Sequence, residues 1–146
     1  MYALIENDNV IAFPYTGKML REAHPNTLFP KGFDDELLSQ FGVERVHIIE
    51  AKYNPMVETV VIVTPPRYDG DRWVVDQTIE PLPETEAAAN VRSKRNQLLL
   101  DSDWTQTADS PVDSAAWAAY RSALRDITEN PAFPWLDETD WPYPPT

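Results

Sequence analysis

The chain has no cysteine, only two histidines and four glycines in 146 residues, and half as many basic as acidic side chains. Each shortage closes a class of function. Without cysteine there is no disulfide, thiol nucleophile, iron–sulfur cluster or thiolate zinc site. With 12 Lys and Arg against 24 Asp and Glu, the net charge of −12 opposes general binding to a phosphate backbone, which needs basic side chains to displace counterions. No run approaches the roughly 18 consecutive apolar residues that cross a bilayer. The opening Met1-Tyr2-Ala3-Leu4-Ile5-Glu6 lacks the basic-then-apolar order of a secretory signal. The expectation is a soluble, cytoplasmically made protein that binds neither nucleic acid nor membrane.

Proline and aromatics are plentiful, with 14 prolines and 11% Phe, Trp and Tyr. Many prolines with few glycines give a chain broken by stiff, extended punctuation rather than by flexible loops. A hydrophobic fraction of 42% is enough for a packed core and speaks against global disorder. The acidity is evenly spread: residues 1–83 hold 7 basic and 13 acidic side chains, and residues 84–146 hold 5 and 11. Neither half hides a basic module.

Residues 1–82 read as a small α+β unit. Tyr2–Ile5 and Val10–Phe13 are β-prone runs joined by Glu6-Asn7-Asp8-Asn9, a cluster that tolerates left-handed turns, which predicts a hairpin. A short helix is predicted from Thr16 to Glu22, ending before Pro25. A second runs from Asp34 to Phe41, with Asp34 as N-cap, Leu37, Leu38 and Phe41 as the apolar stripe and Gly42 as terminator. Val43–Glu50 is a predicted strand, and Ala51–Pro55 a break. Thr59–Thr64 is continuously β-branched, as a buried strand would be. After Pro65-Pro66, the turn signal Tyr68-Asp69-Gly70-Asp71 makes Arg72–Ile79 its hairpin partner.

At Pro81-Leu82-Pro83 the periodicity changes from two residues to 3.6, which predicts a boundary and a second module over 83–146. Glu84–Leu100 is helical, with Ala88, Val91, Arg95, Leu98 and Leu99 on neighbouring faces. Asp113–Ile127 carries Trp117, Tyr120, Leu124 and Ile127 in one stripe, enough for an αα-hairpin. The remainder, rich in proline and aromatics from Pro131 to Pro145, is predicted to be neither helix nor central strand.

Signals for catalysis are sparse. His24 and His47 are isolated, without a companion at metal-ligand spacing. His24 reads as a loop residue beside Pro25, and His47 as a solvent-facing strand residue. Asp34-Asp35-Glu36 is better explained by helix capping than by a cation. Asp69, Asp71 and Asp76 lack the order of an EF-hand loop, so turn chemistry accounts for them. With no phosphate loop and no nucleophile elbow, neither an enzyme nor a cofactor is expected.

The informative feature is aromatic. Four of the five tryptophans, Trp104, Trp117, Trp135 and Trp141, fall in the last third of the chain. On one reading Trp104 and Trp117 form the two-helix core and the tail folds back over it. On the other, part of this surface docks another chain, since Trp and Tyr dominate interface hot spots and Pro-rich segments bind with little loss of entropy. A mixture fits best, with helix aromatics inside and tail aromatics facing a partner.

Val91-Arg92-Ser93-Lys94-Arg95-Asn96-Gln97-Leu98-Leu99, Ser102-Asp103-Trp104-Thr105-Gln106, Trp117 to Ile127, Pro131-Ala132-Phe133-Pro134 and Trp141-Pro142 together carry a specific pattern. It resembles the C-terminal module of bacteriophage tail assembly chaperones over about residues 88–143. Val10–Pro14, Asn26–Pro30 and Phe41–Val43 more loosely resemble the front of other small phage tail proteins. The resemblance implies assembly of a phage tail or tail fibre by binding a fibre or baseplate subunit, in the host cytoplasm, without chemistry. Its alternative is a component kept in the virion tail, baseplate or fibre. The candidate partner-binding residues are Trp104, Arg121, Arg125, Phe133, Trp135, Trp141 and Tyr143. Arg92, Arg95, Arg121 and Arg125 would either pair with Asp101, Asp103, Asp109 and Asp126 to hold the hairpin or meet carboxylates on the partner. Asp103 is expected to cap the turn that places Trp104.

Overall fold

The computed structural model describes residues 1–146 as a mixed α+β protein with four α-helices. The chain forms β1 (Tyr2–Glu6), β2 (Asn9–Ala12), α1 (Gly17–Ala23), α2 (Asp35–Ser39), β3 (Val43–Ile49), β4 (Glu58–Ile62), β5 (Arg67–Tyr68), β6 (Trp73–Pro81), α3 (Glu84–Asp101) and α4 (Ser114–Arg125). It divides into two compact units, one of Met1–Lys52 with Val60–Ile79, the other of Tyr53–Thr59 with Glu80–Thr146.

In the first unit, β1 turns back into β2 through Asn7 and Asp8, both in the left-handed region, and Ile5 then faces Val10 across the antiparallel pair. Asn and Asp tolerate that conformation better than other residues bearing a Cβ. The strand order is β2-β1-β3-β6-β4, with β5 also alongside β6. β1 pairs antiparallel with β3, but β3 and β6 run parallel, with Val46 opposite Trp73 and Ile48 opposite Val75. The sequence pattern contains no sign of that parallel pair, because it joins segments with two other strands, β4 and β5, between them.

Two apolar clusters occupy opposite faces of this sheet. Tyr15, Leu20, Leu38 and Val43 pack with Phe29, Phe33 and Phe41 beneath the two short helices. Ala3, Val46 and Val75 pack with Ile5, Val10, Phe13, Ile62 and Trp73, all strand or strand-end residues. Thr16 caps α1 by accepting from the Met19 N–H, and Asp34 caps α2 by accepting from Leu37 at 2.8 Å. α2 is shorter than the predicted Asp34–Phe41, ending at Ser39. Gly42 then adopts φ of +72°, and its carbonyl accepts from Ile5 at 2.7 Å. Both histidines lie in this unit. His24 closes α1 and packs edge-on against Phe41 at 5.0 Å, while His47 sits half-buried in β3.

The second unit is built around α3 and α4. Val57, Ala87, Val91, Tyr120, Leu124, Ile127, Leu136 and Trp141 form its core. Tyr53–Thr59, expected to lie with residues 1–82, belongs here because it is tied in by side chains and backbone. Asn90 donates to the Met56 carbonyl at 3.0 Å, Asn54 donates to that of Leu136 at 3.3 Å, and Val57 is buried against α3. These contacts span 34 and 82 residues, so no local pattern announces them.

Candidate partner-binding surface

α3 begins without a side-chain cap after Pro83, with Glu84 and Glu86 in its first turn, where carboxylates favour the positive end of the helix dipole. Its small residues Ala87, Ala88 and Val91 are buried, which lets other elements approach closely. α4 starts more firmly. Asp113 accepts from both Ala115 and Ala116 at 3.0 and 3.1 Å, and Tyr120, Arg121 and Leu124 turn inward.

Arg121 fastens the two helices. From α4 it donates to the Leu99 carbonyl at 2.6 Å, to Ser102 Oγ at 2.8 Å and to the Asp103 carboxylate at 2.6 Å. The last carbonyls of a helix lack intrahelical donors and carry partial negative charge, so a planar cation with several N–H groups is suited to this place. Ser102 in turn donates to Leu98 at 2.7 Å, and buried Thr105 donates to the Ser102 carbonyl at 2.6 Å. Asp103, expected to cap the following turn, makes no such bond there and spends its carboxylate on Arg121 instead. The reason is charge: a guanidinium within reach is a stronger donor than a backbone amide.

That latch fixes a one-turn 3-10 helix, Asp103–Gln106, and so fixes Trp104. Trp104 lies 6.3 Å from Trp117, which meets Tyr120 edge-on at 5.6 Å and 89°. Trp117 packs against the core, while Trp104 remains 51% exposed. Burial raises the Tyr120 phenol above its usual range, helped by the charge of Asp101.

The Pro-aromatic tail folds onto its own unit. After α4 a 3-10 turn, Asp126–Glu129, leads into Pro131–Pro134, and beyond it Leu136 and Trp141 are buried. Two cations of α3 cover tail rings, Arg92 at 5.3 Å from Phe133 and Lys94 at 4.2 Å from Trp141. Such contacts contribute about 0.5–1 kcal/mol each at exposed sites. A single 3-10 turn, Glu138–Asp140, interrupts a tail expected to be without helix. It closes by a reciprocal cap, Asp137 accepting from Thr139 at 2.7 Å and Asp140 accepting from Asp137 at 2.9 Å. The Thr139 hydroxyl holds the Asp137 carboxyl below its usual range. Beside Trp141 runs an open cleft of about 480 Å³ edged by Asp126, Glu129 and Asp140.

The candidate residues therefore separate. Arg121 and Trp141 are internal, and Phe133 is half-buried under Arg92. Trp104, Arg125, Trp135 at 44% and Tyr143 at 78% are exposed. Leu100, one turn before Trp104, is also exposed, and its helical pattern gives no sign of this, since it directly follows the partly buried Leu98 and Leu99.

No helix is long and apolar enough to cross a membrane. No curated protein and no solved structure matches the chain. Residues 88–146, which contain the Arg121 latch, the Trp104 turn and the folded tail, match the family model of the phage tail assembly chaperone protein. The C-terminal unit is therefore similar to the phage tail assembly chaperone family, and this similarity supports a role in phage tail assembly.

Proposed function

We propose that the protein acts by binding a tail-fibre or baseplate subunit during assembly in the host cytoplasm, and that Trp104, Trp135 and Tyr143 supply the contact. The observation that carries this reading is the exposure of three large aromatics on a small unit whose core is already filled by Tyr120, Leu124, Leu136 and Trp141. Exposed Trp and Tyr gain most when a partner covers them, and they lose few rotamers in doing so. Arg125 and the carboxylates near Trp141 would set orientation at the rim, where charge governs encounter more than affinity.

Co-expression with a tail-fibre subunit of the same phage tests the reading. Soluble, trimeric fibre should form with this protein and fail without it. Fibre that is equally soluble and trimeric alone would sink the proposal.

A second reading keeps the chain in the finished particle. It is favoured by the tail, whose rings are already held by Lys94 and Arg92 and whose turn is capped, so the surface offered is a fixed one. Quantitative proteomics of purified virions separates the two: an assembly factor is absent, a component is present at constant stoichiometry.

A further inference from the structure

The sheet of the first unit ends on two strands, β2 and β4, and the two edges differ in kind. β2 has four residues, and its pairing with β1 carries a register shift between Leu4 and Ile5. Short length and an irregular register are the ordinary ways of making an edge a poor template for another strand. β4 has neither lysine nor proline within it. From Thr59 to Pro66 the chain carries no charge at all, and Val60, Val61, Ile62 and Val63 follow one another.

β4 has β6 on one side only. Beyond the strand's end, the Val63 N–H still points inward to the Asp76 carbonyl at 2.9 Å. Ile62 packs into the cluster with Val46 and Val75. By the period of two, Val61 and Val63 then stand on the opposite face, 41% and 42% exposed. This is an open row of backbone donors and acceptors beside half-exposed valines, and the group that satisfies it is another extended strand.

We infer that the occupant is the same edge of a second copy, paired antiparallel about a two-fold axis. An isologous contact sets each surface patch against itself, so a chain of charge −12 can meet its copy only where like charges do not face each other. The uncharged Val60–Val63 segment meets that condition, and an antiparallel strand pair has the required two-fold symmetry. The added strand places Val61 and Val63 beside the partner's valines and continues the sheet through both copies. This inference is independent of which tail protein the C-terminal unit binds.

Sedimentation equilibrium of the full chain over a concentration series tests it. The mass should approach twice the 16.7 kDa of the single chain as concentration rises. Val61→Lys with Val63→Lys should return the monomer mass, and Ile11→Lys on the β2 edge should leave the dimer unchanged. A monomer at every concentration, a dimer that survives both lysines, or a dimer lost with Ile11→Lys overturns the inference. Because the chain has no cysteine, single-cysteine variants give a second measurement should the double-lysine variant fail to fold. Oxidation should cross-link at least one of Val60→Cys to Val63→Cys and not Ile11→Cys, and equal cross-linking at Ile11→Cys overturns it.

Discussion

Arg121 reaches across 22 residues of sequence to donate to the carbonyl of Leu99 at 2.6 Å, and this bond joins α4 to the end of α3. Its Asp103 contact is as short, yet the Asp103 side chain is 59% exposed while that of Arg121 is 10% exposed. Solvent therefore screens the ion pair but not the bonds to Leu99 and Ser102.

Arg121→Ala should destabilise the C-terminal unit by about 2–3 kcal/mol, because it strips a charged donor from the Leu99 carbonyl and from Ser102 Oγ. Asp103→Asn should cost under about 1 kcal/mol, as exposed ion pairs do. Urea unfolding of both variants decides the order. Equal losses would mean that the ion pair, not the carbonyl contact, carries the latch.

Trp141 and Trp135 are six residues apart in the same tail and should behave in opposite ways. Trp141 belongs to the core, so Trp141→Ala should cost about 3–5 kcal/mol through transfer and cavity terms. Trp135→Ala, at an exposed position, should stay within about 1 kcal/mol. Pull-down of the fibre or baseplate subunit should instead weaken with Trp135→Ala, Trp104→Ala and Tyr143→Ala at unchanged melting temperature.

Gly42 cannot accept a side chain. Its φ is +72°, and a Cβ there would lie 2.8 Å from the Ile5 carbonyl oxygen, a backbone atom that cannot move away alone. Gly42→Ala should cost at least about 1–2 kcal/mol from the left-handed conformation. The first unit should show the loss by chemical denaturation. An unchanged midpoint would mean that the turn relaxes freely.

Acid should weaken the first unit in a definite window. Asp35 is held below the usual carboxyl range first by its bond from Arg45, and Asp76 likewise by Arg67. A carboxyl depressed on folding contributes stability that is present above its unfolded pKa of about 4 and lost as pH falls through the lower folded value. The melting temperature should therefore drop more steeply below about pH 4 in the native chain than in Asp35→Asn with Asp76→Asn. Parallel curves would remove these pairs from the account.

Local chemistry made much of this architecture legible. Asn7-Asp8 turn where two β-prone runs need a left-handed connection, Asp34 caps because a carboxylate satisfies a free helix N–H, and Gly42 turns the chain from the end of α2 into β3 because glycine takes a positive φ without strain. Each depends on neighbours a few residues away. The parallel β3–β6 pair, the return of Tyr53–Thr59 to the second unit and the Arg121 latch depend on contacts between residues far apart, which periodicity does not encode.

The sequence by itself determined a mixed α+β chain, its helix and turn signals, a net charge of −12 spread over both halves, and a motif that resembles that of phage tail assembly chaperones over about residues 88–143. Only the tertiary structure decided which aromatics face outward. Trp135 and Trp141 are the same residue type in the same proline-rich tail. The capped turn at Asp137 and the cation of Lys94 fold one against α3 and leave the other in solvent. Burial is a property of how elements meet, and composition fixes only how many tryptophans there are to bury.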